Sequence, residues 1–341
     1  MMLSYSVAAG LIASAVAVPL SPDHHSGRLE TIYQFPNHTW LESIAVRNNE
    51  NILTGANINL KGLYNIDPSL PQESKARLIY QSDRSSTFGI TELGSDIFAF
   101  TVGDFNFTDV TSTPGTWDVY LADLRNFNTR TGQGAKIERA AHVHDAAVLN
   151  GLATLDAGRG IILASDSLKG VIWKIDTKSG AAEIFLDDPA LKPVQDGTSL
   201  LLGINGLKVQ NTDIYFTNSF QQLYGRVKLD RKGEIVGEVE ILAQGFFADD
   251  LDVDAHGDAY IGTNIGNSII QVTPDGRERV VVGAQNSTEV YGPTSVAISD
   301  HNPGALYIAT SGGFAAPLGE FIEGGKVLSY DLRPQNGHLG K

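Results

Sequence analysis

Cysteine is missing from all 341 residues of the chain, and with it go disulfides, thiolate nucleophiles, zinc–thiolate sites and iron–sulfur clusters. Positive charge is scarce as well. Lys and Arg number 25 against 39 Asp and Glu, a formal net charge of −14 with a pI near 4.9. Such a surface repels phosphate backbones and anionic headgroups, so nucleic acid and peripheral membrane are excluded as partners. Long apolar runs are lacking too: the one from Val7 to Val18 is too short to span a bilayer, and no later stretch approaches the length of a membrane span. No G-x-S-x-G elbow, H-E-x-x-H helix, P-loop or G-x-G-x-x-G occurs, which removes serine hydrolase, zincin, nucleotide hydrolase and dinucleotide-enzyme chemistry. Helix-period segments are nearly absent.

What is present begins with a leader. Residues 1–17 read as a signal peptide: the short apolar run ends in the small-x-small pattern Ala15-Val16-Ala17, although the n-region has no Lys or Arg. Three N-x-S/T sequons, at Asn37, Asn106 and Asn286, fit the same route. A secreted or secretory-pathway glycoprotein is expected. Without cross-links it must be held by core burial, with or without a metal. Hydrophobic residues make up 42% of the chain, ordinary for a globular core, and 36 glycines imply many tight turns.

One phrase recurs. Leu149-Asn150-Gly151-Leu152-Ala153-Thr154-Leu155 returns as Ile204-Asn205-Gly206-Leu207-Lys208-Val209, and weaker copies start at Glu42, Phe88, Asp249 and Thr294, so the steps are 46, 62, 55, 44 and 45 residues. After most copies come a second and a third apolar strand, such as Gly160–Ser165 and Gly170–Asp176, and then a more polar fourth, such as Ala182–Leu186. Four strands per repeat of this length predict an all-β, six-bladed β-propeller of four antiparallel strands per blade, one domain over residues 28–333. The sixth repeat has only three strands, and the spare strand-like stretch Arg28–Phe35 precedes the first. The N-terminal strand is therefore expected to close the last blade, which leaves no unpaired edge at the seam.

In a propeller the innermost strand of each blade lines a central channel, so the six first positions face one funnel: Glu42, Phe88, Asn150, Asn205, Asp249 and Thr294. The competing reading makes Asn150-Gly151 and Asn205-Gly206 simple type I′ turns. The equivalent pairs Glu42-Ser43, Asp249-Asp250 and Thr294-Ser295 are poor I′ formers, and channel lining explains all six. Glu42, Asn150, Asn205 and Asp249 together suit Ca²⁺ or another hard divalent cation. They suit equally a metal-free cluster in which one carboxyl raises the pKa of the other.

These blade phrases and the Glu42…Asn150…Asn205…Asp249 series resemble the SMP-30/gluconolactonase/LRE group of six-bladed propellers over residues 28 to 333. The resemblance implies a divalent metal on those four residues and Asp249 as the base of lactone hydrolysis. Two departures stand out: the group's Gly-Glu-Gly-Pro is here Trp40-Leu41-Glu42-Ser43, and its Pro-Asp-Gly is here Ala248-Asp249-Asp250. The Leu41–Arg47 phrase, the leader and the Asn-Gly-Leu-Ala-Thr-Leu repeat are more similar to a fungal branch that includes the hetero-Diels–Alderases of tropolone–sesquiterpenoid pathways. That likeness implies a pericyclic enzyme needing no cofactor, which joins a quinone-methide-type heterodiene to an apolar terpene alkene.

Mouth-side loops carry Trp40, Phe220, Tyr224, Phe247 and Tyr291 with few basic residues. Together with Phe88, Asn150 and Thr294 they form the expected substrate-binding set, apolar with a few orienting polar groups; the partner is a small apolar natural product. Glu42, Asp249, Asn205 and His144 are the candidate catalytic residues. His144, in His142-Val143-His144-Asp145, is a candidate pocket acid or base. A lactonase would use a metal to polarise the ester carbonyl and Asp249 to activate water. A cycloaddition enzyme would hold both reactants in near-attack geometry and donate a hydrogen bond to the heterodiene carbonyl. A binding propeller without turnover and a strictosidine-synthase-like condensation enzyme remain open alternatives.

Overall fold

The computed structural model describes residues 27–195, 200–302 and 304–333; the expected signal peptide lies outside them. Six four-stranded antiparallel sheets follow one another along the chain, each ordered from inside to outside. Their innermost strands are Thr39–Val46, Ser86–Gly94, Leu149–Asp156, Ile204–Gln210, Leu251–Val253 and Pro293–Ile298, and each touches the next round the ring, the sixth meeting the first. This is the six-bladed propeller expected from the repeat.

Burial along a blade explains its composition. Second strands such as Ile161–Asp166 and Ala305–Thr310 are buried throughout, because neighbouring blades cover both faces, and they read as near-continuous apolar runs. Fourth strands such as Ala182–Leu186 are half exposed and carry the polar residues. The cores lie between blades: Leu53 and Leu63 of blade 1 pack with Ile90, Phe98 and Phe100 of blade 2. Two short hairpins interrupt the pattern, Phe105–Asn106 with Thr111–Ser112 inside blade 2, and Val194–Gln195 with Leu200–Leu201 before blade 4.

The Asn-Gly pairs are not turns. Gly151 and Gly206 lie inside strands and neither has a positive φ. A Cβ on Gly151 would come within 2.6 Å of the Asn205 carbonyl oxygen, and one on Gly206 within 2.8 Å of the Asp250 Cα. Glycine is needed because the inner strands approach more closely than a side chain allows.

At that approach, polar groups tie each blade to the next. Asn57 Nδ2 donates to the Thr87 carbonyl and Asn57 Oδ1 accepts from its N–H, at 3.3 and 2.7 Å. Thr101 Oγ1 donates to the Leu149 carbonyl at 3.0 Å, Ser167 Oγ to that of Ile204 at 2.6 Å, and Ser219 Oγ to that of Ala248 at 3.0 Å. The Asp250 N–H donates to the Thr294 carbonyl at 3.1 Å, and Thr294 Oγ1 donates to the Leu41 carbonyl at 2.8 Å. All six boundaries are bridged.

Closure falls to the N-terminus. Leu29–Gln34 pairs antiparallel with Lys326–Asp331 as the outermost strand of blade 6. Deleting residues 28–35 strips that edge and exposes the apolar cluster holding Ile32, Tyr33 and Phe35. The truncated protein is expected to lose the cooperative thermal transition of the full chain by circular dichroism. A cooperative melt near the full-length midpoint would show that the ring does not depend on this strand.

Candidate functional site

Five of the six inner strands enter the channel through an irregularity. Register shifts fall between Glu42 and Ile44, Thr87 and Ile90, Leu149 and Leu152, Ile204 and Leu207, and Pro293 and Ser295. Ser43 sits in the left-handed region at φ 62°. Such bulges re-aim the adjacent side chain. All six first-position residues are buried.

The structure joins Asn205, Asp249 and Asn264 into one hydrogen-bond network and gives Glu42 and Asn150 partners of their own. Asp249 accepts on both oxygens, from Asn205 Nδ2 at 2.7 Å and from Asn264 Nδ2 at 2.6 Å. Asn205 Nδ2 also reaches Ser219 Oγ at 2.9 Å. Glu42 Oε2 accepts from the Trp40 indole N–H at 2.6 Å, and Asn150 Nδ2 donates to Ser167 Oγ at 3.2 Å. Asn264, buried and at φ 40°, reaches Asp249 from a single turn of 3₁₀ helix. It lies outside the repeated phrase, so only proximity reveals its role.

Burial dominates the electrostatics. It drives the Glu42 carboxyl well above the usual range, with the Asp249 charge next in size and the Trp40 N–H acting the other way. Burial likewise pushes Asp249 up to about 8, against the lowering effect of its two amide donors, and Asp250 to about 6. Two buried carboxyls that feel each other cannot both ionise cheaply, so the pair retains a proton at neutral pH. The nearby Lys208 is committed elsewhere, to Asp252 at 2.5 Å.

The residues also offer oxygen donors of the kind a hard cation takes. Among the described residues no group of three or more His, Cys, Asp or Glu could hold a metal; here the donors are two carboxylates and two amides. Asn205 Oδ1 is buried with no hydrogen-bond partner, an acceptor that a cation or a ligand hydroxyl would satisfy. Glu42, Asn150, Asn205 and Asp249 therefore fit a divalent ion in chemistry. The proton on the carboxyl pair is its competitor.

Trp40, the partner of Glu42, is itself packed among aromatic rings. Trp40 touches Phe107 at 5.0 Å and Phe314 at 5.9 Å between ring centroids. Phe88 packs on Phe105, Phe107 and Trp117, and Phe220 meets Phe247 edge-on at 5.3 Å. Beside the Trp40 cluster runs a groove of about 550 Å³, lined by residues that include Phe105, Phe107 and Phe314. Phe107 escapes a reading based on repeats because it sits on the hairpin that interrupts blade 2.

Other expected members stand apart. Tyr224 is not at the mouth: it is fully buried between blades 4 and 5 and stacked on Tyr215, because its third-strand position faces the interblade core. Tyr291 is buried and spends its hydroxyl on loop backbone, donating to the Phe321 carbonyl and accepting from the Leu318 N–H. Thr294 uses its hydroxyl as an interblade tie. His144 is exposed, its ring 5.9 Å from that of His142, while His142 bonds Asp118 at 2.9 Å; neither joins the buried network.

No protein-family model matches the chain. Solved structures give the fold. A luciferin-regenerating enzyme superposes with a TM-score of 0.62 at 15% identity, over 89% of this chain and 95% of that one. A gluconolactonase from Xanthomonas campestris does so at 0.57 and 12%, over 90% of each. In fold, the chain is a six-bladed propeller similar to these two structures. In sequence it is similar to a curated "Putative hetero-Diels-Alderase" of Phoma sp, 24% identical over 300 residues, covering 81% of this chain and 85% of that protein. A second protein so named, from Sarocladium schorii, is 25% identical over 236 residues, 64% of this chain and 58% of that one. Among the described residues no helix is long and apolar enough to cross a membrane.

The raised carboxyls have a thermodynamic consequence. A group whose folded pKa exceeds its unfolded value of about 4 stabilises fully below that value and progressively less as pH rises through the folded pKa. With divalent ions chelated, thermal stability is therefore expected to fall from pH 5 to pH 8 partly on account of Glu42 and Asp249. Asp249→Asn should flatten that decline, so the two melting curves draw apart as pH rises. Curves that stay parallel would place the proton elsewhere.

Proposed function

We propose that the chain is a pericyclase that joins a quinone-methide-type heterodiene to an apolar terpene alkene by a hetero-Diels–Alder cycloaddition. The observation that carries this reading is a pair of buried carboxyls, Glu42 and Asp249, whose burial favours the neutral form, beside the aromatic cluster of Trp40, Phe107 and Phe314; similarity to curated proteins named hetero-Diels–Alderases supports it. In the reaction one C–C and one C–O σ bond form as three π bonds become one, and no atom is lost. The developing negative charge lies on the heterodiene oxygen, where one hydrogen-bond donor assists.

Glu42 is the better donor. Trp40 already donates to its Oε2, which leaves Oε1 for the proton, whereas both oxygens of Asp249 accept amide hydrogens and suit the ionised state. Asn205 and Asn264 then hold Asp249 in place. Trp40 orients Glu42 and offers its ring face to the substrate, and Phe88 supplies apolar wall.

The test is a product assay with a quinone-methide precursor and a sesquiterpene alkene. A single cycloadduct stereoisomer above the uncatalysed background is expected, at a rate that EDTA leaves unchanged. Glu42→Ala should lower the rate about tenfold, the worth of one neutral hydrogen bond, with Asp249→Asn milder. A thermal shift with ligand but no product would instead indicate a binding protein.

The bare Asn205 Oδ1 favours one second reading, a divalent-metal-dependent lactonase. There Ca²⁺ or another divalent ion on Glu42, Asn150, Asn205 and Asp249 would supply Lewis-acid polarisation of a lactone carbonyl, and Asp249 would take the proton of the attacking water. Lactone hydrolysis abolished by EDTA would select it.

We further propose passage through the secretory pathway. Asn37 and Asn286 are exposed on turns and Asn106 on a strand of the short blade 2 hairpin, open to a glycosyl group. Asn106 lines the groove, so a glycan there would fill the space beside the mouth. The mass lost on deglycosylation of protein from a fungal host is expected to account for Asn37 and Asn286 and not for Asn106.

A further inference from the structure

Blades 4 and 5 enclose a second cavity, of about 170 Å³, on the face away from the channel mouth. The inner strand of blade 4 starts at the mouth with Ile204 and Asn205 and runs down to Gln210; Asn211, in the turn that follows, already lines the cavity. Ala255 and His256 reach it from the matching turn of blade 5, and Pro274 from the next turn of that blade. Tyr215, Tyr224, Arg226 and Leu242 of blade 4 complete the wall. Asn211, Ala255, His256 and Pro274 are exposed and leave one side open to solvent.

The two tyrosines set the chemistry. Their rings stack at 6.1 Å with 14° between planes, and the residues are 8% and 1% exposed. Burial holds both phenols above their ordinary pKa, so both hydroxyls keep their protons. Arg226 interacts with the Tyr215 hydroxyl and pairs through Nε with Glu240 at 2.9 Å. Among the described residues the Tyr224 hydroxyl makes no hydrogen bond. Buried polar groups are almost always paired, and this one borders open space instead.

A free O–H donor in a dry wall calls for an acceptor oxygen. An anion is a poor occupant, because Asp213 and Asp258 both act on Tyr224 as negative charges and the guanidinium of Arg226 already has its carboxylate. Water would answer the hydroxyl and gain nothing from the tyrosine rings, Leu242 and Pro274, which favour an apolar body. A cavity of about 150 Å³ takes a molecule the size of benzene. We propose that this cavity is a second ligand site, which takes a neutral single-ring carbonyl compound with its oxygen on the Tyr224 hydroxyl and its ring among Tyr215, Leu242 and Pro274. The site stands apart from the reaction proposed above, since it opens on the opposite face.

Acetophenone and ethylbenzene match in ring and size and differ in the carbonyl, so they are the probes, titrated by ligand-observed NMR against the full chain, Tyr224→Phe and Ala255→Trp. The parent protein is expected to bind acetophenone about tenfold more tightly than ethylbenzene, the worth of one hydrogen bond. Tyr224→Phe keeps the ring and loses the donor, so it should weaken acetophenone about tenfold and leave ethylbenzene unchanged. Ala255→Trp narrows the cavity from an exposed turn position and should abolish binding of both, while cycloadduct formation stays at the parental level. Three results overturn the proposal: no binding to the parent, equal acetophenone affinity in the parent and Tyr224→Phe, or undiminished binding to Ala255→Trp, which places the probe in the channel mouth. None of them bears on the pericyclase reading, and a parent protein that makes no cycloadduct leaves the cavity assignment standing.

Discussion

The close approach of six inner strands is the constraint from which the rest of the molecule follows. At the blade 3 and blade 4 boundaries, Gly151 and Gly206 let the backbones come nearer than any side chain would, and the second-strand hydroxyls of Ser165 and Thr217 then reach across to carbonyls of the next blade. A buried carbonyl left without a donor costs about 1–3 kcal/mol, so those hydroxyls are as necessary as the apolar contacts outside them. The apolar clusters make each pair of blades adhere; the ties and glycines set how near the axis they come. In a chain with no cysteine this ring of short polar links does the work that cross-links do elsewhere.

Because the strands converge, their first side chains must share a small buried space, and this chain places two carboxyls in it. The arrangement is tolerable because the acceptors are met: two amides on Asp249, an indole on Glu42. It also makes the site reactive. Burial favours the neutral form of both acids, and a proton held at neutral pH in a dry well is a hydrogen-bond donor that solvent does not level.

Much of this is legible in the sequence because the axial constraint repeats six times. The phrase spacing gives the blade count, the missing fourth strand of the last repeat gives the closure by residues 28–35, and the register of Glu42, Asn150, Asn205 and Asp249 places them round one axis. What does not repeat is harder to read. Asn264 and Phe107 lie outside the phrase, one on a turn of 3₁₀ helix and one on an inserted hairpin, and nothing in their local spacing tells them from ordinary loop residues. Tyr224 shows the opposite failure. Its aromatic character suits a pocket, but a third-strand side chain alternates between faces, and only the blade packing reveals that this one points into the interblade core.

The fold is common to chemistries that differ in one particle, and the local sequence here bears on the choice. Where the resembled group has Gly-Glu-Gly-Pro, Trp40 here puts an N–H on Glu42 Oε2; Asn264 and Asn205 do the same for Asp249. A cation entering this cluster has to displace donors already in place and expel the proton, and the bare Asn205 Oδ1 is an acceptor it would find waiting. Proton and cation are thus alternatives at a single point: whichever neutralises the paired carboxyls removes the electrostatic reason for the other. Burial tilts that competition toward the proton, against the indole and amide donors that favour the ionised carboxylates, and a site that keeps its proton activates a carbonyl by hydrogen bonding.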